Sequence, residues 1–127
     1  MKSKLFHDPV FCIDVRALSG TLNEARTWMK NHDWDFEPSE QCEGFCSCSG
    51  SFIIWLKNPK DFYILMHESL HLVGKALKDC GVPDGLMLDS GQMNETVAYY
   101  HMFWFRKLWR YYGNLRTTRK ANRSVVD

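Results

Sequence analysis

The chain has 127 residues, of which 45% are hydrophobic and 24% are charged, a composition typical of one compact domain. A domain of this length buries roughly two thirds of the surface of its unfolded chain, so it needs no disulfide to fold. No apolar run approaches the ~20 residues of a membrane span, and residues 1–9 lack the apolar stretch of a signal peptide. We therefore expect a soluble, cytoplasmic protein that does not enter a membrane.

The basic residues are concentrated near the C-terminus, although the formal net charge is only +1. Residues 1–95 contain 9 Lys/Arg and 14 Asp/Glu, whereas residues 96–127 contain 7 Lys/Arg and one acid, Asp127. Aromatic residues are interleaved with these basic residues. The pattern suits a solvated helix face with its aromatics in the core, or a surface that binds nucleic acid or an acidic partner.

The first third of the chain predicts a strand, a helix and a connection. Pro9–Val15 is rich in β-formers. Thr21–Lys30 has helical apolar spacing, and its first residue and Glu24 have the spacing of a capping box. Residues 31–41 have no helical period and predict a connection, with a short strand at Trp34–Phe36.

The middle of the chain predicts a hairpin followed by a long helix. Gly44–Lys57 contains two extended segments joined by a turn at Ser49–Ser51. Pro59 at the first helical position and Asp61 in the first turn are signals for a helix start. The helical pattern then continues to Cys80.

The last third predicts a loop over residues 82–93 and an aromatic helix that begins at Asn94 and ends near Gly113. Residues 116–127 contain almost no large apolar side chain, and residues 114–127 are therefore predicted to be a basic, mobile tail. The domain is therefore expected to occupy residues 1–113. The order of strands and helices predicts an α+β fold with one small sheet packed against helices.

The segment His67–His71 matches the pattern HExxH within the predicted long helix. Positions i and i+4 of a helix are neighbours on one face, so both imidazoles can bind one ion while Glu68 reaches a bound water. Two ligands, an open coordination position and a base are what metal-assisted hydrolysis needs. The alternative is a pair of histidines on an ordinary surface helix.

A zinc site of this kind needs a third protein ligand, and Asp84, Asp89, Glu95 and His101 follow the motif. Glu95 is the preferred candidate because a rigid helix start would present its carboxylate. A first-turn acid also stabilises the helix dipole, which is the alternative explanation for this residue.

Peptide hydrolysis also needs a group that stabilises the developing oxyanion. The candidates are Tyr99, Tyr100 and His101. Tyr99 lies one turn after Glu95 and is either the oxyanion donor or a residue that orients a ligand. Aromatic residues on so apolar a helix also commonly belong to the core.

The five cysteines are odd in number and predict free thiols or metal ligands in place of a disulfide framework. Cys42, Cys46 and Cys48 share one face of an extended chain, which favours packing as small side chains over a second metal site. Cys12 and Cys80 are expected in the core.

The sequence resembles the gluzincins, zinc metallopeptidases in which HExxH is followed by a glutamate at the start of a later helix. It is similar, more narrowly, to small phage-encoded proteins classed as metallopeptidases, over roughly residues 8–110. The matching segments, in chain order, are Asp8–Phe11, Ala25–Met29, Phe52–Leu56, HESLH at 67–71 and NETVA at 94–98, with Tyr99 following.

This resemblance implies a minimal zincin-like domain, in which a small mixed sheet packs against an N-terminal helix, the HExxH helix and a glutamate-bearing helix. It implies a Zn²⁺ ion at His67, His71 and Glu95, with Glu68 as the general base. The expected function is hydrolysis of a peptide or protein substrate that adds to the sheet edge formed by the hairpin at 44–57. The alternative is a metal-containing, non-catalytic phage protein that binds a host protein or nucleic acid through its basic C-terminal end.

Overall fold

The structure is a computed structural model that describes the backbone of residues 1–126 and the side chains of residues 1–115. It is an α+β fold with one four-stranded sheet and three helices in the described part, as the sequence predicts. The elements are β1 (Lys2–Asp8), β2 (Ile13–Ser19), α1 (Leu22–Asn31), β3 (Gly44–Ser49), β4 (Ser51–Leu56), α2 (Phe62–Asp79) and α3 (Glu95–Val126).

The sheet is mixed, with the strand order β1-β2-β4-β3. β1 pairs with β2, and β3 with β4, in antiparallel register, whereas β2 and β4 are parallel. The parallel pair is central, and β4 leads through a short connection into α2. β3 therefore forms one edge of the sheet, as expected for the hairpin at 44–57.

The helices cover both faces of the sheet. α1 packs on one face, where Met29 contacts a cluster that includes the buried Trp55. α2 and α3 pack on the other face, around the fully buried Trp104 and Tyr112. The Tyr112 hydroxyl donates to the backbone oxygen of Leu18, 3.0 Å away, and so ties α3 to the sheet.

The prediction for the first strand is wrong in its boundaries. Lys2–Asp8 forms an edge strand, and residues 9–12 form the turn that connects it to β2. β1 is largely exposed and mostly polar, so its sequence shows no alternation of apolar and polar residues. The short strand predicted at Trp34–Phe36 is also absent, because this part of the chain is an irregular connection.

The helix starts follow the capping signals. The Glu24 N–H donates to Thr21 Oγ1 at 3.2 Å and the Thr21 N–H donates to Glu24 Oε1 at 3.0 Å, which confirms the capping box. The prediction that α2 begins at Pro59 is wrong. Asp61 is the N-cap instead, because its carboxylate accepts the Ile64 N–H at 3.1 Å.

The prediction that the last helix ends near Gly113 is also wrong, because α3 continues to Val126. A glycine weakens a helix interior by only about 1 kcal/mol, and the neighbouring Tyr112 and Leu115 pack against the core. The predicted tail at 114–127 falls mostly outside the described side chains, so the domain boundary at residue 113 stays a prediction.

Candidate metal centre

The histidines of the HExxH motif lie on the outer face of α2. The opposite face of the helix is buried, because Leu65, Leu72 and Ala76 pack into the core beneath the sheet. Residues on the opposite side of a helix must then face solvent. His67 and His71 are both exposed as a result.

The two imidazoles lie close together on this face of α2. His67 Nε2 and His71 Nε2 are 3.1 Å apart, and their ring centroids are separated by 4.6 Å. Two nitrogens bound to one tetrahedral zinc ion at the usual distance would lie about 3.3 Å apart. The geometry and the chemistry of this donor pair therefore fit one zinc ion.

Glu68 lies beside the histidines but faces the sheet. Its side chain is only 12% exposed, and Oε1 lies 3.9 Å from His67 Nε2. Burial raises the pKa of Glu68, against the opposing effects of the two histidines and of a hydrogen bond from the Cys46 backbone. The carboxylate is thus held between the histidine pair and the edge strand.

A groove of about 580 Å³ runs between α2 and β3. Its walls include Glu68 and His71 from α2 and the residues of β3 from Gly44 to Cys48. The unpaired side of an edge strand offers backbone hydrogen-bond groups to an extended ligand. An extended ligand bound in this groove would lie next to Glu68 and His71.

Gly44 sets how closely α2 approaches β3. A Cβ atom at this position would lie 2.6 Å from Ile64 Cγ2, in the first turn of α2, and 3.0 Å from the Trp55 carbonyl oxygen. Only a glycine lets the helix pack against the strand at this distance. The sequence analysis had no signal for this contact, because it depends on two elements that meet only in the fold.

Glu95, the predicted third ligand, is not grouped with His67 and His71. Glu95 is exposed in the first turn of α3, and Asp84 and Asp89 are exposed in the preceding loop. Among the side chains of residues 1–115, no three His, Cys, Asp or Glu residues are grouped so as to hold a metal ion. The fold thus brings together two predicted ligands and the predicted base, and Glu95 stays a prediction.

The three oxyanion candidates occupy different environments. Tyr99 is 65% exposed, whereas Tyr100 is buried and donates its hydroxyl to Asp8 Oδ2 at 2.7 Å. Burial, together with this hydrogen bond, raises the pKa of Tyr100. Tyr100 is therefore engaged in the core, and Tyr99 keeps an accessible hydroxyl.

His101 joins α3 to the HExxH helix. Its Nε2 atom lies 2.9 Å from Ser69 Oγ and 3.3 Å from the Met66 carbonyl oxygen. Burial lowers the pKa of His101. This role was missed because Ser69 stands at a variable position of HExxH, so that only the packing of the helices identifies it as a partner.

Asn94 holds the loop that precedes α3. Its side-chain amide donates to the carbonyl oxygens of Pro83 and Gly85, both at 2.8 Å, while Oδ1 accepts the Val97 N–H at 3.4 Å. One buried side chain thus caps α3 and fixes the loop. The sequence predicted the helix start here but not the contacts with the loop.

The cysteines are free thiols. Cys42, Cys46 and Cys48 line the groove and are partly buried, and burial raises the pKa of Cys46. The prediction that Cys12 and Cys80 lie in the core is wrong, since both are exposed. They lie in the β1–β2 turn and at the C-terminal cap of α2, where neither side chain faces the core.

Comparison of the chain with known protein families, with curated proteins and with solved structures finds no match. No helix in the described part of the chain has the length and apolar character of a membrane span. The α+β fold and the geometry of the histidine pair are therefore the basis for a proposed function.

Proposed function

We propose that the protein is a zinc-dependent metallopeptidase of the zincin type. The observation that carries the proposal is the 3.1 Å separation of His67 Nε2 and His71 Nε2, with the Glu68 carboxylate beside them in a groove. Five free cysteines suit a reducing compartment, and we propose that the protein acts in the bacterial cytoplasm.

The two histidines would hold the zinc ion, with Glu95 as the third ligand. Bound zinc would act as a Lewis acid that activates a water molecule and polarises the substrate carbonyl. Glu95 is exposed on α3, so its participation requires the first turn of α3 to deliver the carboxylate to the histidine pair. This requirement makes Glu95 the most informative residue to test.

Glu68 would act as the general base and then as the general acid. It would take a proton from the attacking water and pass it to the leaving amine. Partial burial raises the pKa of Glu68, which favours a carboxyl group that can hold a proton between the two steps. Tyr99 is proposed either to donate to the substrate oxygen or to orient a ligand.

The substrate would be an extended peptide or protein segment. β3 is an edge strand, and its unpaired side borders the groove that contains Glu68 and His71. Main-chain hydrogen bonds to an added strand supply affinity with little dependence on sequence. Binding along β3 would carry a peptide bond across the base and the histidine pair.

The experiment that tests this function compares the wild type with Glu68→Gln in peptide cleavage and zinc content. The amide is nearly isosteric with the carboxylate but cannot accept the proton, so we expect cleavage to fall by about 10²–10⁴-fold while zinc is retained. Glu43→Gln, an exposed carboxylate paired with Lys57 at 3.4 Å, is the matched control. Equal cleavage by the wild type and Glu68→Gln would refute the proposed role of Glu68.

A second candidate function is binding of a host protein or nucleic acid through the basic end. Residues 96–126 contain seven basic residues and no acid, and Lys107 Nζ lies 5.0 Å from the centre of the half-exposed Phe103 ring. A chain that ends after Gly113 lacks four of the seven basic residues. A peptidase would keep its cleavage activity in this chain, whereas a protein that binds through its basic end would lose most of its affinity for its partner.

A further inference from the structure

Two exposed cysteines lie in segments that are distant in sequence but in contact in the fold. Cys12 ends the β1–β2 turn, and Cys80 is the C-cap of α2. The Cys80 Sγ atom lies 3.8 Å from the carbonyl oxygen of Phe11, the residue that precedes Cys12. The turn and the end of α2 are thus in direct contact at a point where both thiols are open to solvent.

The backbone of Cys12 has a conformation that a cysteine seldom adopts. Its φ angle is +54°, in the left-handed region that favours glycine or asparagine. Its thiol is exposed and donates only a long hydrogen bond, 3.5 Å, to the Pro9 carbonyl oxygen. Neither backbone geometry nor core packing therefore explains a cysteine at this position.

The contact with Phe11 sets an upper limit on the distance from the Cys80 sulfur to Cys12. In a planar trans peptide the carbonyl oxygen lies about 3 Å from the Cα of the next residue. The Cys80 sulfur is therefore within about 7 Å of Cys12 Cα, and a disulfide requires rotation about χ1 of both residues to close the remaining distance. We propose that Cys12 and Cys80 form a reversible disulfide in the folded protein.

The disulfide would form by exchange with a low-molecular-weight disulfide, RSSR. One thiolate attacks RSSR, which forms a mixed disulfide and releases one RS⁻, and the second thiolate then displaces the other RS⁻. The two cysteines lose two hydrogen atoms and are oxidised, while RSSR is reduced to two RSH. Both thiols meet the requirement of access for this reaction, because both are exposed.

The bond would join the β1–β2 turn to the end of the helix that carries His67 and His71. It would close a long loop of chain, and a cross-link of that kind destabilises the unfolded state. We therefore expect the oxidised protein to melt at a higher temperature than the reduced one. This inference does not depend on the proposed peptidase activity.

The experiment equilibrates the purified full chain with a series of ratios of oxidised to reduced glutathione. Remaining thiols are then alkylated, and the protein is digested without reduction for mass spectrometry. We expect the peptide that contains Cys12 to be linked to the peptide that contains Cys80, with the loss of two hydrogen atoms. Cys42, Cys46 and Cys48, which are partly buried, serve as internal controls and should be alkylated.

Single variants separate the disulfide from simple thiol modification. In Cys12→Ser, Cys80 should carry glutathione as a mixed disulfide, and the difference in melting temperature between oxidised and reduced samples should disappear. Cys42→Ser should keep both the link and that difference. Two outcomes would overturn the proposal: glutathione on both Cys12 and Cys80 of the wild type without a link between them, or both thiols still reduced at the most oxidising ratio.

Discussion

The two sides of the histidine pair differ in how completely the fold builds them. On the side of β3, Glu68 is held against the backbone of Cys46, and Gly44 lets the helix pack tightly against the strand. On the side of α3, the contact of His101 with Ser69 joins the two helices, but Glu95 is exposed and belongs to no group of potential metal ligands among the described side chains. The side that holds the base is complete, whereas the side that would supply the third ligand is not.

This difference has a physical cause. The position of Glu68 follows from packing between α2 and the sheet, which is stabilised by apolar burial whether or not a metal is present. The position of Glu95 depends on the first turn of α3 and on the loop before it, where apolar side chains such as Met87 and Met93 are largely exposed. Metal binding commonly organises ligands that are not preformed. Zinc would therefore affect the α3 side more than the β3 side.

The largest effect is expected from removal of the proposed third ligand. Glu95→Ala should weaken zinc binding by more than about 100-fold, because even residues that only orient ligands cost about 10–100-fold when they are replaced. Zinc affinity is measured by competition with a chelator of known affinity, and Asp89→Ala serves as the control. Unchanged affinity in Glu95→Ala would transfer the role to Asp89 or His101.

A smaller effect, on the free energy of unfolding, is expected from substitution of two glycines, Gly44 in β3 and Gly74 in α2. Gly44→Ala should destabilise the protein by about 1–3 kcal/mol, since the new Cβ clashes with Ile64 and with the Trp55 carbonyl. Gly74 is half-buried, but a Cβ atom there would meet nothing within 4 Å, so Gly74→Ala should stabilise the protein by about 0.5–1 kcal/mol. Chemical denaturation of both variants checks the prediction. Equal effects of the two substitutions would contradict the close contact at β3.

The smallest effect is expected from the histidine that joins the helices. Burial lowers the pKa of His101 from its ordinary value of 6.5, so the unfolded chain binds a proton at a higher pH than the folded one. The contribution of neutral His101 to the free energy of unfolding is fully present above about pH 6.5. It is lost as the pH falls through the lower pKa of His101 in the folded state. Denaturation at several pH values, with a chelator present, should show a smaller acid loss of stability for His101→Asn than for the wild type. Identical pH slopes would exclude a buried, neutral His101.

The sequence predicts features whose signals are local. The capping box at Thr21 and the HExxH helix were both identified, because each depends on residues three or four positions apart. β1 was missed because an edge strand with exposed lysines has no apolar alternation. The turn at Pro9–Cys12 was mistaken for a strand because it contains the β-forming residues Val10 and Phe11, although Val10 is exposed and Phe11 packs against the core from within the turn.

The candidate site likewise contains some features that local sequence patterns predict and others that depend on contacts between distant elements. His67, Glu68 and His71 are brought together by one helix, so their spacing alone predicts the arrangement. The contact of Gly44 with Ile64 and the bond between His101 and Ser69 join elements that are distant in sequence. No local pattern encodes such contacts, and the placement of Glu95 relative to the histidines is of the same kind.

The most direct test of the central proposal is the zinc content of the purified chain. The wild type, His67→Ala and His71→Ala are loaded with zinc, dialysed against metal-free buffer and analysed by elemental mass spectrometry, with His32→Ala as an exposed control. The 3.1 Å separation of the two Nε2 atoms predicts one zinc ion per chain in the wild type and the control. It predicts a large loss of bound zinc in His67→Ala and in His71→Ala. A wild type without zinc, or equal zinc in all four proteins, would contradict a metal centre at this helix.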